Sequence, residues 1–271
     1  MFECVVNISE GRVEAQLDEL RASAGRSLRD LHSDRFHNRS VFTLINEPAA
    51  LTSDARALLA TAYERLDLRT HEGVHPRFGV VDVVPFVALE PNESPLARSL
   101  RDETAQWIAN SFDVPVFLYG PVGLDLRTLP EVRRGAFTSL TPDFGPASLS
   151  PARGATAVGE RPILVAWNLW LRGARIEEAR AIAASIRRPE VRALAFTVGD
   201  QVQVSCNLIA PQVVGPGVVY DDVVARLSRT ARIERAELVG LAASSVLEAE
   251  PRSRWEQLGL SADTTIEVRV G

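Results

Sequence analysis

Twice along this chain, strand and helix signals alternate in the order βαββαβ, and that repetition restricts the fold more than any single residue does. Residues 2–8 are rich in β-formers and close at Ser9-Glu10-Gly11, and residues 13–24 then place Val13, Leu17 and Leu20 at helical spacing. Two short strands follow, around 28–32 and 39–46. The spacing predicts a helix over 53–66, with Ser53 as N-cap, a strand over 80–89, and a helix over 94–112 with Ser94 as N-cap and Pro95 at its first position. A strand over 114–119 ends at Gly120-Pro121. From Pro162 the alternation restarts: strand 162–171, helix 175–188, strands 192–198 and 201–208, a helix near 217–230, and a strand over 234–241. Between them, residues 123–161 lose periodicity and become rich in Gly, Pro and Ser, which reads as a linker or binding loop. The expected fold is α/β (α+β): two βαββαβ-like sandwich subdomains, 1–160 and 161–271, with a ligand cleft between their sheets.

All thirty basic residues are arginine, and the four histidines, His32, His37, His71 and His75, all fall in the first 75 residues. Schiff-base, pyridoxal-phosphate and Walker-type phosphate-loop chemistry each need a lysine amine, so these classes are excluded. Gly154 and Gly159 have phosphate-loop spacing, but Glu160 stands where the lysine belongs. Proton transfer near neutral pH falls to histidine, or to a shifted carboxylate or thiol. A net charge of −5 argues against nucleic acid and for small-molecule partners. Cys4 and Cys206 sit in apolar strand-like runs and read as reduced core residues. No segment approaches a membrane span, and the opening residues show neither a basic leader nor an apolar h-region, so a cytoplasmic protein is expected.

His71-Glu72-Gly73-Val74-His75 matches H-E-x-x-H, in which two histidines one helical turn apart bind zinc. That geometry needs a continuous helix. Gly73 inside the pentad and Pro76 directly after it disfavour one, and no later histidine supplies a third ligand, so no metal is expected. What remains is a histidine in an irregular loop, held by a proline and followed by Arg77, with a reference pKa of ~6.5 suited to carrying protons.

Several segments carry a family resemblance. Glu3-Cys4-Val5-Val6-Asn7-Ile8-Ser9-Glu10-Gly11 resembles the ECVPNFSEG opening of glutamate formiminotransferases, the folate-dependent one-carbon enzymes of histidine breakdown. His71-x-Gly-x-His75-Pro-Arg77-x-Gly79, with Asp82 and Pro85-Phe86, is similar to that family's HKGEHPRMGALDVCPF segment, and VPVFLYG over 114–120 to its VPVYLYG strand. PDFGP over 142–146, GATAVG over 154–159, the strand over 163–171, QVSCNL over 203–208, ELVGL over 237–241 and the tail at 257–267 follow in collinear order. The resemblance covers the transferase domain of the formiminotransferase-cyclodeaminase family, and no fused cyclodeaminase is expected.

The resemblance implies transfer of a formimino group from N-formimino-L-glutamate to N5 of tetrahydrofolate, a co-substrate, with His75 as general acid/base and Asp34 as the acidic partner. It further implies a folate cleft lined by Phe144 and Gly145, by Gly154, Ala155, Thr156 and Gly159, and by Asn168, Gln203, Ser205 and Asn207, and it implies a homodimer. Asn7 and Gly79 fall within these segments, Asn38 lies in Asp34-x-x-x-Asn38-Arg39, which matches the family's acidic position across a short gap, and Arg39 and Arg77 are the candidate forks for substrate carboxylates. Where the family has lysine and glutamate in the histidine loop, this chain has Glu72 and Val74, and Val6 replaces a proline. Those departures keep open another folate one-carbon reaction, such as formyl transfer from N-formylglutamate or conversion of 5-formyltetrahydrofolate. A non-catalytic folate-binding homologue and a zinc hydrolase are the alternatives from other classes.

Overall fold

The computed structural model describes residues 1–271 and divides into two compact units, Met1–Pro162 and Ile163–Gly271. The first contains, in order, β1 (Phe2–Ile8), α1 (Glu14–Ser23), β2 (Leu28–Asp34), β3 (Arg39–Asn46), α2 (Pro48–Arg65), β4 (Val81–Ala88), α3 (Ser94–Phe112), β5 (Val116–Val122), β6 (Asp125–Arg127), α4 (Leu129–Gly135) and β7 (Thr156–Glu160). Its seven strands form one mixed sheet in the order β2-β3-β1-β4-β7-β5-β6. β1 runs antiparallel to β3 and β4, whereas β7 is parallel to both β4 and β5.

Alternation along the strands decides which face the helices cover. Phe2, Cys4, Val6 and Ile8 of β1, with Phe42 and Leu44 of β3 and Val84 and Phe86 of β4, pack against Leu20 of α1, Leu51, Leu58 and Leu59 of α2 and Leu100 and Ile108 of α3. Each such fully buried leucine or phenylalanine contributes roughly 1.5–3 kcal/mol. On the opposite face, Val132 of α4 joins Val83, Phe117, Tyr119, Ala155 and Ala157 in a smaller cluster.

Three local expectations change. Helix α2 starts at Pro48, whose fixed φ suits the first turn, so Ser53 is inside it and not its cap. Ser94 is itself helical, preceded by a 3-10 turn at Pro91–Glu93, and its hydroxyl donates to Glu160 Oε1 at 3.1 Å. The stretch 123–161, read as a loop, contains β6, α4 and β7. Thr128 caps α4 reciprocally with Glu131, and β7 is a fully buried central strand.

The second unit comprises β8 (Val165–Arg172), α5 (Ile176–Ser185), β9 (Val191–Val198), β10 (Gln201–Leu208), α6 (Pro216–Val224), β11 (Arg232–Val239), α7 (Ser244–Glu248) and α8 (Ile266–Val270). Its antiparallel sheet has the order β11-β8-β10-β9. Val165, Trp167, Leu169 and Leu171 of β8 and Val202, Val204, Cys206 and Leu208 of β10 face Ala179 and Ile182 of α5 and Val219 and Val223 of α6. Both cysteines are free and buried. No helix is long and apolar enough to cross a membrane.

Candidate functional site

Residues 71–79 form an irregular loop between α2 and β4, with no helical turn across His71–His75, so the two imidazoles do not share a helix face. The loop is held from three sides. Asn38, in the left-handed region at φ 49°, receives the Gly11 amide on Oδ1 at 2.9 Å and donates Nδ2 to the Glu72 carbonyl at 2.9 Å. Its own carbonyl accepts from His71 Nε2 at 2.8 Å. Arg77 turns back to donate to the His71 carbonyl at 2.7 Å and the Gly73 carbonyl at 3.3 Å. A Cβ on Gly73 would lie 2.3 Å from the His37 carbonyl, so glycine lets the loop pack directly on the β2–β3 turn.

Below the loop lies a buried charge cluster. Asp82 is fully buried and receives Arg39 Nη1 and Arg133 Nη2 on Oδ2, the latter at 2.6 Å, and the Phe78 amide on Oδ1 at 2.6 Å. Burial pushes its carboxyl up, but the two guanidiniums outweigh that and hold it below the ordinary range. Arg39 also donates Nη2 to Asn7 Oδ1 at 2.7 Å, which ties β1 into the cluster. Two guanidiniums on one carboxylate leave a net positive charge there, chemistry that attracts an anion.

His75 lies beside this cluster. Its Nδ1 is 2.6 Å from the Pro76 carbonyl. A carbonyl has no proton to give, so Nδ1 carries the hydrogen and Nε2 is the basic nitrogen of the neutral ring. Burial, then the charge of Arg39, pushes the imidazole's pKa down to about 3, against the opposing pull of Asp82 and the Pro76 hydrogen bond. The His37 ring is 5.7 Å away. Asp34 sits at the end of β2 with Oδ1 accepting the Phe36 and His37 amides, each at 2.8 Å, so it shapes the turn that presents His37.

The structure therefore gathers His75, Asn7, Asn38, Arg39 and Arg77 around one loop, with Gly79 at its exit into β4 and Asp34 in the adjoining turn. The other expected residues lie elsewhere. Phe144 exchanges backbone hydrogen bonds with Val116, and its ring packs on the helix-side core, while Gly145 has φ +83° against the Val114 carbonyl. Gly154 and Ala155 lead into β7, where Thr156 donates to the Val81 carbonyl at 2.8 Å and Gly159 accommodates the Tyr119 ring. In the second unit, Asn168, Gln203, Ser205 and Asn207 share the sheet face opposite α5 and α6, with Asn168 registered on Ser205 and Gln203 on Trp170. Asn168 and Trp170 both donate to Glu237 Oε2, and the fully buried Gln203 amide has no hydrogen-bond partner on either end.

Asp82 and Arg133 were absent from the sequence-based site. Asp82 stands inside the matching histidine segment, which marks it in the sequence, whereas Arg133 lies in the stretch read as loop, where no spacing marks it.

Residues 1–161, more than half the chain, match the profile of the formiminotransferase domain, N-terminal subdomain. The chain is 36% identical over 202 residues to the glutamate formimidoyltransferase of Streptococcus pyogenes serotype M1, covering 69% of this chain and 68% of that protein. To the glutamate formimidoyltransferase of Thermoplasma acidophilum it is 32% identical over 232 residues, 77% of this chain and 76% of that one. Against the formimidoyltransferase-cyclodeaminase of Rattus norvegicus the identity is 30% over 250 residues, 82% of this chain but only 46% of that larger relative. The chain belongs to the formiminotransferase family.

Proposed function

We propose that the protein transfers a formimino group from N-formimino-L-glutamate to N5 of tetrahydrofolate, with His75 carrying the proton. The observation that supports this most directly is the state of His75: a neutral ring with Nδ1–H committed to the Pro76 carbonyl and Nε2 left basic, beside a cluster with excess positive charge. N5 attacks the formimino carbon, and Nε2 takes the N5 proton. As the tetrahedral centre collapses, the C–N bond to glutamate breaks, and the imidazolium returns the proton to the departing glutamate nitrogen. One imidazole serves both steps and ends as it began.

The guanidinium of Arg39 both depresses the imidazole's proton affinity and offers a fork for a substrate carboxylate. A bound carboxylate offsets that positive charge, so the donor's arrival moves His75 toward a more effective base. The partnerless Gln203 amide supports reading the second unit's polar sheet face, with Asn168, Ser205 and Asn207, as folate-binding, because leaving a buried amide without hydrogen bonds costs about 1–3 kcal/mol and a purely structural position would be apolar. The departures at 72 and 74 are compatible with the same donor: the Glu72 and Val74 side chains are exposed, and the loop uses position 72 through its carbonyl.

The test is to mix the protein with tetrahydrofolate and formiminoglutamate and follow 5-formiminotetrahydrofolate by absorbance, with N-formylglutamate in parallel. Turnover with the formimino donor is expected, and His75→Ala is expected to lower it by ~10²–10⁴-fold while folate affinity stays within threefold. Tight folate binding without turnover of either donor would sink the enzyme reading, and turnover of the formyl donor alone would replace the substrate.

A further inference from the structure

Arg133 reaches the His75 loop at two points from a different part of the chain. Its Nη2 donates to Asp82 Oδ2 at 2.6 Å, and its Nη1 lies 3.4 Å from the Pro76 carbonyl. That carbonyl also accepts from His75 Nδ1, and the other oxygen of Asp82 accepts the Phe78 amide. One side chain thus spans the acceptor of the histidine and the carboxylate that anchors the loop two residues further on. The base of Arg133 is itself fixed: α4 is capped by Thr128 and Glu131, and its Val132 is fully buried against Phe117 and Tyr119.

We propose that Arg133 is a positioning residue for the reaction: it holds the Pro76 carbonyl where His75 Nδ1–H donates to it, and so keeps Nε2 as the proton-accepting atom and fixes the direction in which it points. The inference rests on the role given to His75 above. A guanidinium suits the task because its planar fork presents donors to two acceptors at once, whereas an ammonium is a single point. The charged and titratable groups around the imidazole are Arg39 from β3, Asp82 from β4, His37 from the β2–β3 turn and Arg133 from α4; Arg77 is turned to the His71 and Gly73 carbonyls. Without Arg133, Asp82 is less compensated, which raises the imidazole's affinity for a proton, and the Pro76 carbonyl that receives Nδ1–H loses its second donor.

The experiment uses full-length Arg133→Gln and Arg133→Lys, with three measurements: the imidazole NMR signal of His75, assigned by its loss in His75→Gln; steady-state kinetics with tetrahydrofolate and formiminoglutamate; and folate affinity. In the wild-type protein the ring is expected to stay neutral down to about pH 5. In Arg133→Gln it is expected to titrate at a higher pH than in the wild-type protein, with kcat lowered at least tenfold and folate Kd within threefold. A His75 titration unchanged from the wild-type protein overturns the proposal, as does a kcat loss matched by an equal loss of folate affinity, which marks a purely structural residue. If Arg133→Gln does not fold, Arg133→Lys carries the test: a smaller shift in the same direction is expected, and no shift overturns it. Absence of transfer in the wild-type protein would count against the function, while the titration still reports on positioning.

Discussion

Glu3 shows what one misplaced charge does to the stability of a sheet. It sits on β1 on the face away from the helices, 4% exposed, and burial pushes its carboxyl up from 4.5 to about 6, with Arg161 partly offsetting the effect. The folded protein therefore holds this proton more tightly than the unfolded chain. The contribution is favourable below pH 4.5 and is lost as pH rises through 6, leaving a buried carboxylate that costs about 2 kcal/mol at neutral pH and above. Glu3→Gln is expected to raise the unfolding free energy by about that amount at pH 8 and by little at pH 4, measured by urea titration. An equal gain at both pH values would mean that the charge is not the cause. His75 runs in the opposite sense, since its lowered pKa favours the folded state above pH 6.5 and withdraws that support as pH falls toward 3. At this scale the sequence was readable where a motif surrounded the residue, as at His75. It was silent on Arg133, because nothing in the spacing of a loop-like stretch says which arginine turns inward.

Among the elements, β7 was the hardest to see. A strand buried between two parallel neighbours has no polar alternation, and the first four residues of this one are Thr, Ala, Val and Gly, followed by Glu160, which read locally as a loop. The small residues are there because the neighbours come close. A Cβ on Gly79 would lie 2.2 Å from the Ala155 carbonyl, and Gly79 bridges Gly154 where β7 begins. Gly79→Ala is expected to cost about 1–3 kcal/mol, checked by thermal or urea unfolding, because backbone and not a flexible side chain must move. A neutral substitution would show that β4 and β7 can separate at no cost. By contrast, β1, β3, α3, β8 and β10 were legible from periodicity alone, since each presents one clearly apolar face. The helix starts were less so: Ser53 and Ser94 look like caps, but Pro48 and the 3-10 turn ahead of Ser94 supply the starts.

For the whole molecule, element order was enough to separate two sheet-based units, though not to show that the first sheet has seven strands and the second four. Each unit has its own helix-covered core. Amide exchange is therefore expected to be slowest at two separate places, β1, β4 and β7 in the first unit and β8 and β10 in the second, with the edge strands β2, β6, β9 and β11 exchanging faster. Comparable protection across edge and central strands would contradict that arrangement. A last consequence concerns Asn38, whose side chain and carbonyl join Gly11, Glu72 and His71, residues up to 61 positions apart in the chain. Because one left-handed residue closes all three contacts, the segment after the opening strand, the β2–β3 turn and the histidine loop are tied at a single point, and the loop inherits the rigidity of the sheet edge beneath it. Losing the Asn38 side chain cuts two of those ties at once, so the histidine loop is released from the segment after β1 in the same step in which it loses its hold at Glu72.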